Sequence, residues 1–168
     1  MLTTTPEAEI LVGIAALGLT VTGFSGLISV LDRRAKGEWS AAQRFQLGQL
    51  IELSLAVTFG AFIPLLVDML LQDMALRVAV GLVALSHLLV LLRGVAKNFK
   101  HGSLAAVLPT GMTVFMVLGG LVLIVAAAIS WAGWIGGAAF LVIANLLWQL
   151  MVAIVHFIYL LMSPGTTD

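Results

Sequence analysis

Residues 40–71, SAAQRFQLGQLIELSLAVTFGAFIPLLVDMLL, decide how the fold of this chain is interpreted. The stretch is apolar and long enough to cross a bilayer, whose hydrocarbon layer requires about 20 helical residues. Within it lies one carboxylate, Glu52. An ionised carboxylate costs about 2.5–3.5 kcal/mol at the centre of a membrane helix, so we expect Glu52 to be either protonated or paired.

The composition of the whole chain also indicates a membrane protein. Hydrophobic residues make up 61% of the chain and charged residues only 10%, whereas soluble domains contain about 25% charged residues. There is no cysteine, which excludes disulfides and thiolate metal ligation. Because the basic residues form no face that could contact the phosphate backbone of a nucleic acid, nucleic acid is not an expected partner. The N-terminus lacks the positive region of a cleavable signal, so the first apolar run is predicted to be a retained span.

Five stretches of the chain are long and apolar enough to span a bilayer, and they predict an all-α integral membrane protein. We expect a single domain over residues 1–168, with spans at approximately 10–31, 43–67, 75–96, 104–128 and 135–162. Seven of the eight Lys and Arg residues fall in the first and third loops. The positive-inside rule therefore predicts an external N-terminus and an internal C-terminus, and the expected location is a bacterial inner membrane.

Three ionisable side chains are predicted to lie in one layer of the membrane. At about 1.5 Å of rise per residue, Glu52 lies about 12 Å beyond the basic start of its span, and His87 and His156 lie about 9 Å before the ends of theirs. On the last span, a rotation of about 100° per residue places Asn145, Gln149 and His156 on one face. These five residues predict an ion or proton path, because acids and histidines are the usual members of membrane proton relays.

The same side chains permit two alternative chemistries. Glu52, His87 and His156 include suitable ligands for zinc, although the His-x-x-x-His spacing of recognisable helical sites is absent. A haem held between His87 and His156 is the other possibility. The simplest expectation is that no cofactor is present.

Small residues predict close contacts between helices. Gly18, Thr22 and Gly26 recur at intervals of four on the first span, and Gly133 and Gly137 recur in the same way near the last one. Such faces let helix backbones approach closely in membranes. They predict a homo-oligomer or a complex with a membrane partner subunit.

One short motif resembles a known enzyme family. Residues 23–26, Gly-Phe-Ser-Gly, are similar to the GxSG quartet of rhomboid intramembrane serine proteases. The resemblance implies a nucleophile at Ser25 with His87 or His156 as its base. Rhomboids have at least six spans and carry the quartet on a later one, whereas here it lies on the first of five. The quartet is better interpreted as part of the small-residue face.

These observations favour one function and leave others open. The leading hypothesis is a small oligomeric channel or an ion- or proton-linked transport protein, not an enzyme, embedded in the lipid bilayer. The alternative is a non-transporting accessory or assembly subunit, in which polar residues mediate helix association. A haem- or metal-binding membrane protein is the third possibility.

Overall fold

The computed structural model describes residues 6–36, 41–71, 75–101 and 110–162, and these form five α-helices. In chain order the helices are α1 (Pro6–Lys36), α2 (Ala41–Leu71), α3 (Ala75–His101), α4 (Thr110–Trp131) and α5 (Ala138–Met162). Each contains a segment that is long and apolar enough to cross a membrane. The predictions of an all-α protein and of five such helices are therefore confirmed.

The turn between α4 and α5 differs from the prediction. Trp131 ends α4 rather than lying in the turn, and α5 begins at Ala138 instead of near residue 135. Gly133 and Gly137 have φ values of 83° and 82°, which strongly disfavour residues with a Cβ. The amides of Gly133 and Trp134 donate to the carbonyls of Ser130 and Ile129, the pattern of a Schellman helix end.

The expectation that Gly133 and Gly137 form a helical packing face is wrong, because both glycines lie in this turn and shape it. The predicted beginning of the fourth span, at residues 104–109, lies outside the described residues.

The helices run up and down, and α5 packs against all four of the others. α2 packs against α1, α3 and α5, whereas α4 packs against α3 and α5. One end of the bundle brings together residues from four helices, namely Glu7, Pro64, Leu76 and Ala139. The other end holds the start of α2 and the end of α3, with Arg44 and Arg93. We call it the basic end, because seven of the eight Lys and Arg residues belong to the end of α1, the start of α2 and the end of α3.

Buried apolar side chains fill the half of the bundle away from the basic end. This apolar core is made by α1, α2, α3, α4 and α5 together, and its fully buried members include Val57, Val80, Val83, Ala127 and Leu146. Gly60 lets Leu146 approach α2, since a Cβ on this glycine would lie 2.8 Å from the leucine side chain. The half nearer the basic end has a smaller apolar cluster and most of the buried amides.

The contact between α1 and α2 uses part of the predicted small-residue face. A Cβ on Gly18 would lie 2.6 Å from Thr58 Oγ1 and 2.9 Å from the Ser54 carbonyl oxygen. The Thr22 hydroxyl donates to the carbonyl of Gly18 within α1. Around Gly26, by contrast, no atom of another described helix lies within 4 Å of a Cβ position. Gly18 therefore serves packing inside this chain, and Gly26 faces outward.

Substitution of these two glycines by alanine should have opposite effects on stability. Gly18→Ala should lower the free energy of unfolding by about 1–3 kcal/mol, because the added methyl group overpacks the contact with α2. Gly26→Ala is the matched control on the same helix and should stabilise by up to about 1 kcal/mol through helix propensity. Unfolding in mixed micelles followed by circular dichroism measures both values. Equal effects of the two substitutions would contradict the packing described here.

Candidate functional site

A cavity of about 100 Å³ lies between α2, α3, α4 and α5, in the half of the bundle nearer the basic end. We call it the polar cavity, because six side chains that can form hydrogen bonds line it: Gln49, His87, Thr113, Trp148, Gln149 and His156. Apolar side chains such as Leu53, Val90 and Val152 complete its wall. Its volume equals that of about three water molecules at roughly 30 Å³ each.

The inner end of the cavity is organised by a hydrogen bond between α3 and α5. His87 Nδ1 lies 2.8 Å from Asn145 Oδ1. The amide nitrogen of Asn145 donates to the carbonyl of Leu141 at 3.0 Å and is 3.4 Å from that of Leu123. Since this nitrogen is used as a donor, Oδ1 is the acceptor and His87 Nδ1 carries a proton. In the neutral imidazole, His87 Nε2 then keeps a lone pair available as an acceptor.

Two adjacent glycines of α4 make room for the aromatic side chains at this end. A Cβ on Gly120 would lie 3.2 Å from His87 Nε2, and one on Gly119 would clash with the ring of Trp148. The indole Nε1 of Trp148 is 3.4 Å from the Met116 carbonyl, to which it donates. The glycine pair thus lets α4 lie directly against His87 and Trp148.

Several polar groups of the cavity have no hydrogen-bond partner among the described residues. Gln149 Nε2 and Oε1, Gln49 Nε2 and His156 Nδ1 are buried without a hydrogen bond to any described residue. The side chains are almost completely enclosed, with exposures of 0% for Gln149, 5% for His156 and 6% for Gln49. An unsatisfied buried polar group costs about 1–3 kcal/mol. The cavity is therefore suited to an occupant that forms hydrogen bonds.

Glu52 lies outside this cavity. Its Oε1 is 3.6 Å from Arg93 Nη1, and the exposed fractions of the two side chains are 21% and 68%. The carboxylate is thus paired, as one of the two expectations had it, but with an arginine of α3. The predicted layer of three ionisable side chains separates into two parts: His87 and His156 line one cavity, and Glu52 pairs beside it.

The predicted face of α5 does point into the bundle. Asn145, Gln149 and His156 are all buried, and two of the three line the polar cavity. Sequence reasoning missed Gln49, although a signal was present. Three glutamines, Gln43, Gln46 and Gln49, recur every third residue at the start of α2, and all three are buried.

The cavity does not fit a haem or a three-ligand metal ion. No group of three His, Asp or Glu side chains among the described residues is placed to hold a metal. Asn145, which binds His87, precedes His156 by eleven residues of α5, or about 16 Å of helical rise. His87 and His156 therefore lie at different levels along the bundle. A volume of about 100 Å³ is also far below the roughly 300–1,000 Å³ of typical ligand pockets.

The rhomboid-like quartet does not form a catalytic pair. The hydroxyl of Ser25 donates to the carbonyl of Val21 within α1. Neither histidine of the polar cavity is bonded to it, because the described lining of the cavity comes from the other four helices. A serine nucleophile requires its base within hydrogen-bond reach. The quartet is a segment of α1.

Two leucine substitutions on α5 should separate structural from functional polar residues. Asn145→Leu should lower the free energy of unfolding by about 1–3 kcal/mol, because it leaves the buried His87 Nδ1 without its acceptor. Gln149→Leu should leave stability unchanged or raise it, since the amide has no hydrogen bond to a described residue and the new side chain is apolar. Both effects can be measured by unfolding in mixed micelles. A larger loss for Gln149→Leu than for Asn145→Leu would show that Gln149 is a structural residue.

Comparisons with known proteins add no assignment to this cavity. The chain was compared with protein-family models, with curated proteins and with solved structures, and none of them matches it. What the site does must therefore be argued from its own residues. These are two histidines on different helices, the amides of Gln49 and Gln149, and the space of about 100 Å³ that all of them line.

Proposed function

We propose that this protein is an integral membrane transport protein in which the polar cavity is the part of the path that leads inward from the basic end. The observation that carries the proposal is the state of Gln149 and His156. Three polar atoms of these two side chains are buried in the cavity without a partner among the described residues. A purely structural role would leave this cost uncompensated, whereas a transported species or water supplies the missing hydrogen bonds.

The order of the polar groups supports a proton-linked process. His156 and Gln49 lie toward the basic end, Gln149 lies further in, and His87 with its bond to Asn145 lies at the inner end. A neutral imidazole accepts a proton at one nitrogen and can release one from the other, so histidines suit such a relay. His87 is already fixed in the tautomer that leaves Nε2 as the acceptor.

The apolar core favours an alternating-access mechanism and speaks against a continuously open pore. Val80 and Val83 lie within two turns of His87 on the side away from the basic end, and both are fully buried. Packed apolar side chains exclude water and ions. The cavity is therefore a dead end in this state, and completing the crossing requires a second conformation or a second copy of the chain. By the positive-inside rule, the basic end faces the cytoplasm of a bacterial inner membrane.

Proton flux into lipid vesicles containing the purified protein tests this function. The parent chain should carry protons above the rate of empty vesicles, measured with an enclosed pH-sensitive dye. His156→Phe and Gln149→Leu should each reduce this flux at least tenfold, because they interrupt the hydrogen-bonding groups of the cavity. Glu52→Gln is the matched control, since it removes a partly exposed charge of α2 outside the cavity lining, and should retain most of the flux.

Two outcomes would oppose the transport proposal. One is a parent flux equal to that of empty vesicles. The other is a flux that depends on Glu52 but not on His156 or Gln149, which would place the path elsewhere in the bundle.

A second candidate, an accessory subunit, is supported by the outer faces of α1 and α4. Large apolar side chains such as Phe24, Leu27, Phe115 and Leu118 are more than half exposed. Such faces can be covered by lipid or by another helix. The accessory-subunit hypothesis predicts a stable homo-oligomer or a stoichiometric partner after purification in mild detergent. Native mass spectrometry measures either. A lone monomer with proton flux would exclude it.

A further inference from the structure

We infer that the polar cavity selects a small uncharged solute bearing a carbonyl or hydroxyl group, and that the amide of Gln149 binds this group. The inference rests on the proposed function, because it treats the cavity as the place where the transported species is held. It goes further by naming the chemical class of that species.

The described lining of the cavity contains no charged side chain that could serve as a fixed counter-ion for a charged solute. Among the described residues that line it, no side chain is Asp, Glu, Lys or Arg, and the only titratable ones are His87 and His156. The nearby charges of Glu52 and Arg93 are paired with each other. Burying an ion without a partner costs several kcal/mol, on the order of the whole stability of a domain. A neutral solute avoids this cost.

The hydrogen-bonding capacity of the cavity defines what the solute must offer. A primary amide presents a donor and an acceptor side by side. Because both Gln149 Nε2 and Oε1 lack a partner in the described part of the chain, this pair is present whichever way the amide is turned. Gln49 Nε2 and His156 Nδ1 add further polar atoms. A solute with a carbonyl or hydroxyl group satisfies an amide donor, and an NH or OH group satisfies its acceptor.

The size and walls of the cavity limit the solute further. About 100 Å³ equals about three water volumes, which corresponds to a molecule of roughly four to six heavy atoms. Leu53, Val90 and Val152 form apolar walls that accept a methyl group, and the ring of Trp148 borders the same space. Acetamide and urea have the required size and groups, and they serve as probes of this class.

Pairs of probes with the same shape and different charge test the inference. Acetamide should bind and acetate should not, and urea should enter vesicles while guanidinium should not. Binding is followed through Trp148 fluorescence in a chain carrying Trp39→Phe, Trp131→Phe and Trp134→Phe, which leaves Trp148 as the reporter. Saturation-transfer NMR on the parent chain gives the same information if the triple variant does not fold. Urea entry is followed by light scattering after an osmotic step.

The controls separate this inference from the proposed function. Gln149→Leu should reduce acetamide binding and urea entry at least tenfold, whereas Glu52→Gln should change neither. Binding of acetamide without any flux would overturn transport but support the site. Proton flux without binding of either neutral probe would overturn the inference and leave transport standing. Equal binding of acetamide and acetate, or binding that is unchanged in Gln149→Leu, would also overturn the inference.

Discussion

The hydrogen bond from His87 to Asn145 is the interaction on which the half of this bundle nearer the basic end depends. In a membrane there is no water at the lipid face to satisfy a polar side chain, so polar groups must find partners within the protein. Asn145 meets this requirement twice, by accepting from His87 and by donating to a backbone carbonyl of its own helix. It thereby links α3 to α5 and sets the inner limit of the polar cavity.

The two halves of the bundle differ in the side chains that they bury and in how closely those side chains pack. Away from the basic end, branched and small apolar side chains pack closely around α2, and glycines such as Gly18 and Gly60 allow neighbouring helices to approach it. Nearer the basic end, space is left between α2, α3, α4 and α5, and the amides of Gln49 and Gln149 face into it. The first arrangement is what stability favours. The second carries a cost in free energy, because buried amide atoms lack hydrogen-bond partners among the described residues.

Glu52 shows that a residue can be recognised from the sequence as needing a partner and still lie outside the cavity lined by the two histidines with which it was grouped. Its position in an apolar run demanded a partner on energetic grounds, and Arg93 provides one. The partner comes from the neighbouring helix at the basic end, where a long arginine side chain can reach the carboxylate and still contact water. A pair that is partly exposed in this way contributes only about 0–1 kcal/mol. The glutamine row on α2, which carries no charge, gave a weaker signal but supplies Gln49 to the cavity.

By itself the sequence determined the class of fold and the polar face of α5. Apolar runs of about 20 residues specify helices for crossing a membrane, and the spacing of Asn145, Gln149 and His156 places them on one side of a helix whatever surrounds it. Only the tertiary structure decided which polar residues meet. Helix rotation and tilt, which depend on packing at sites such as Gly119 and Gly120, bring His87 and His156 to one cavity and leave Glu52 beside it. These contacts join residues far apart in the chain, and periodicity along one helix carries no information about them.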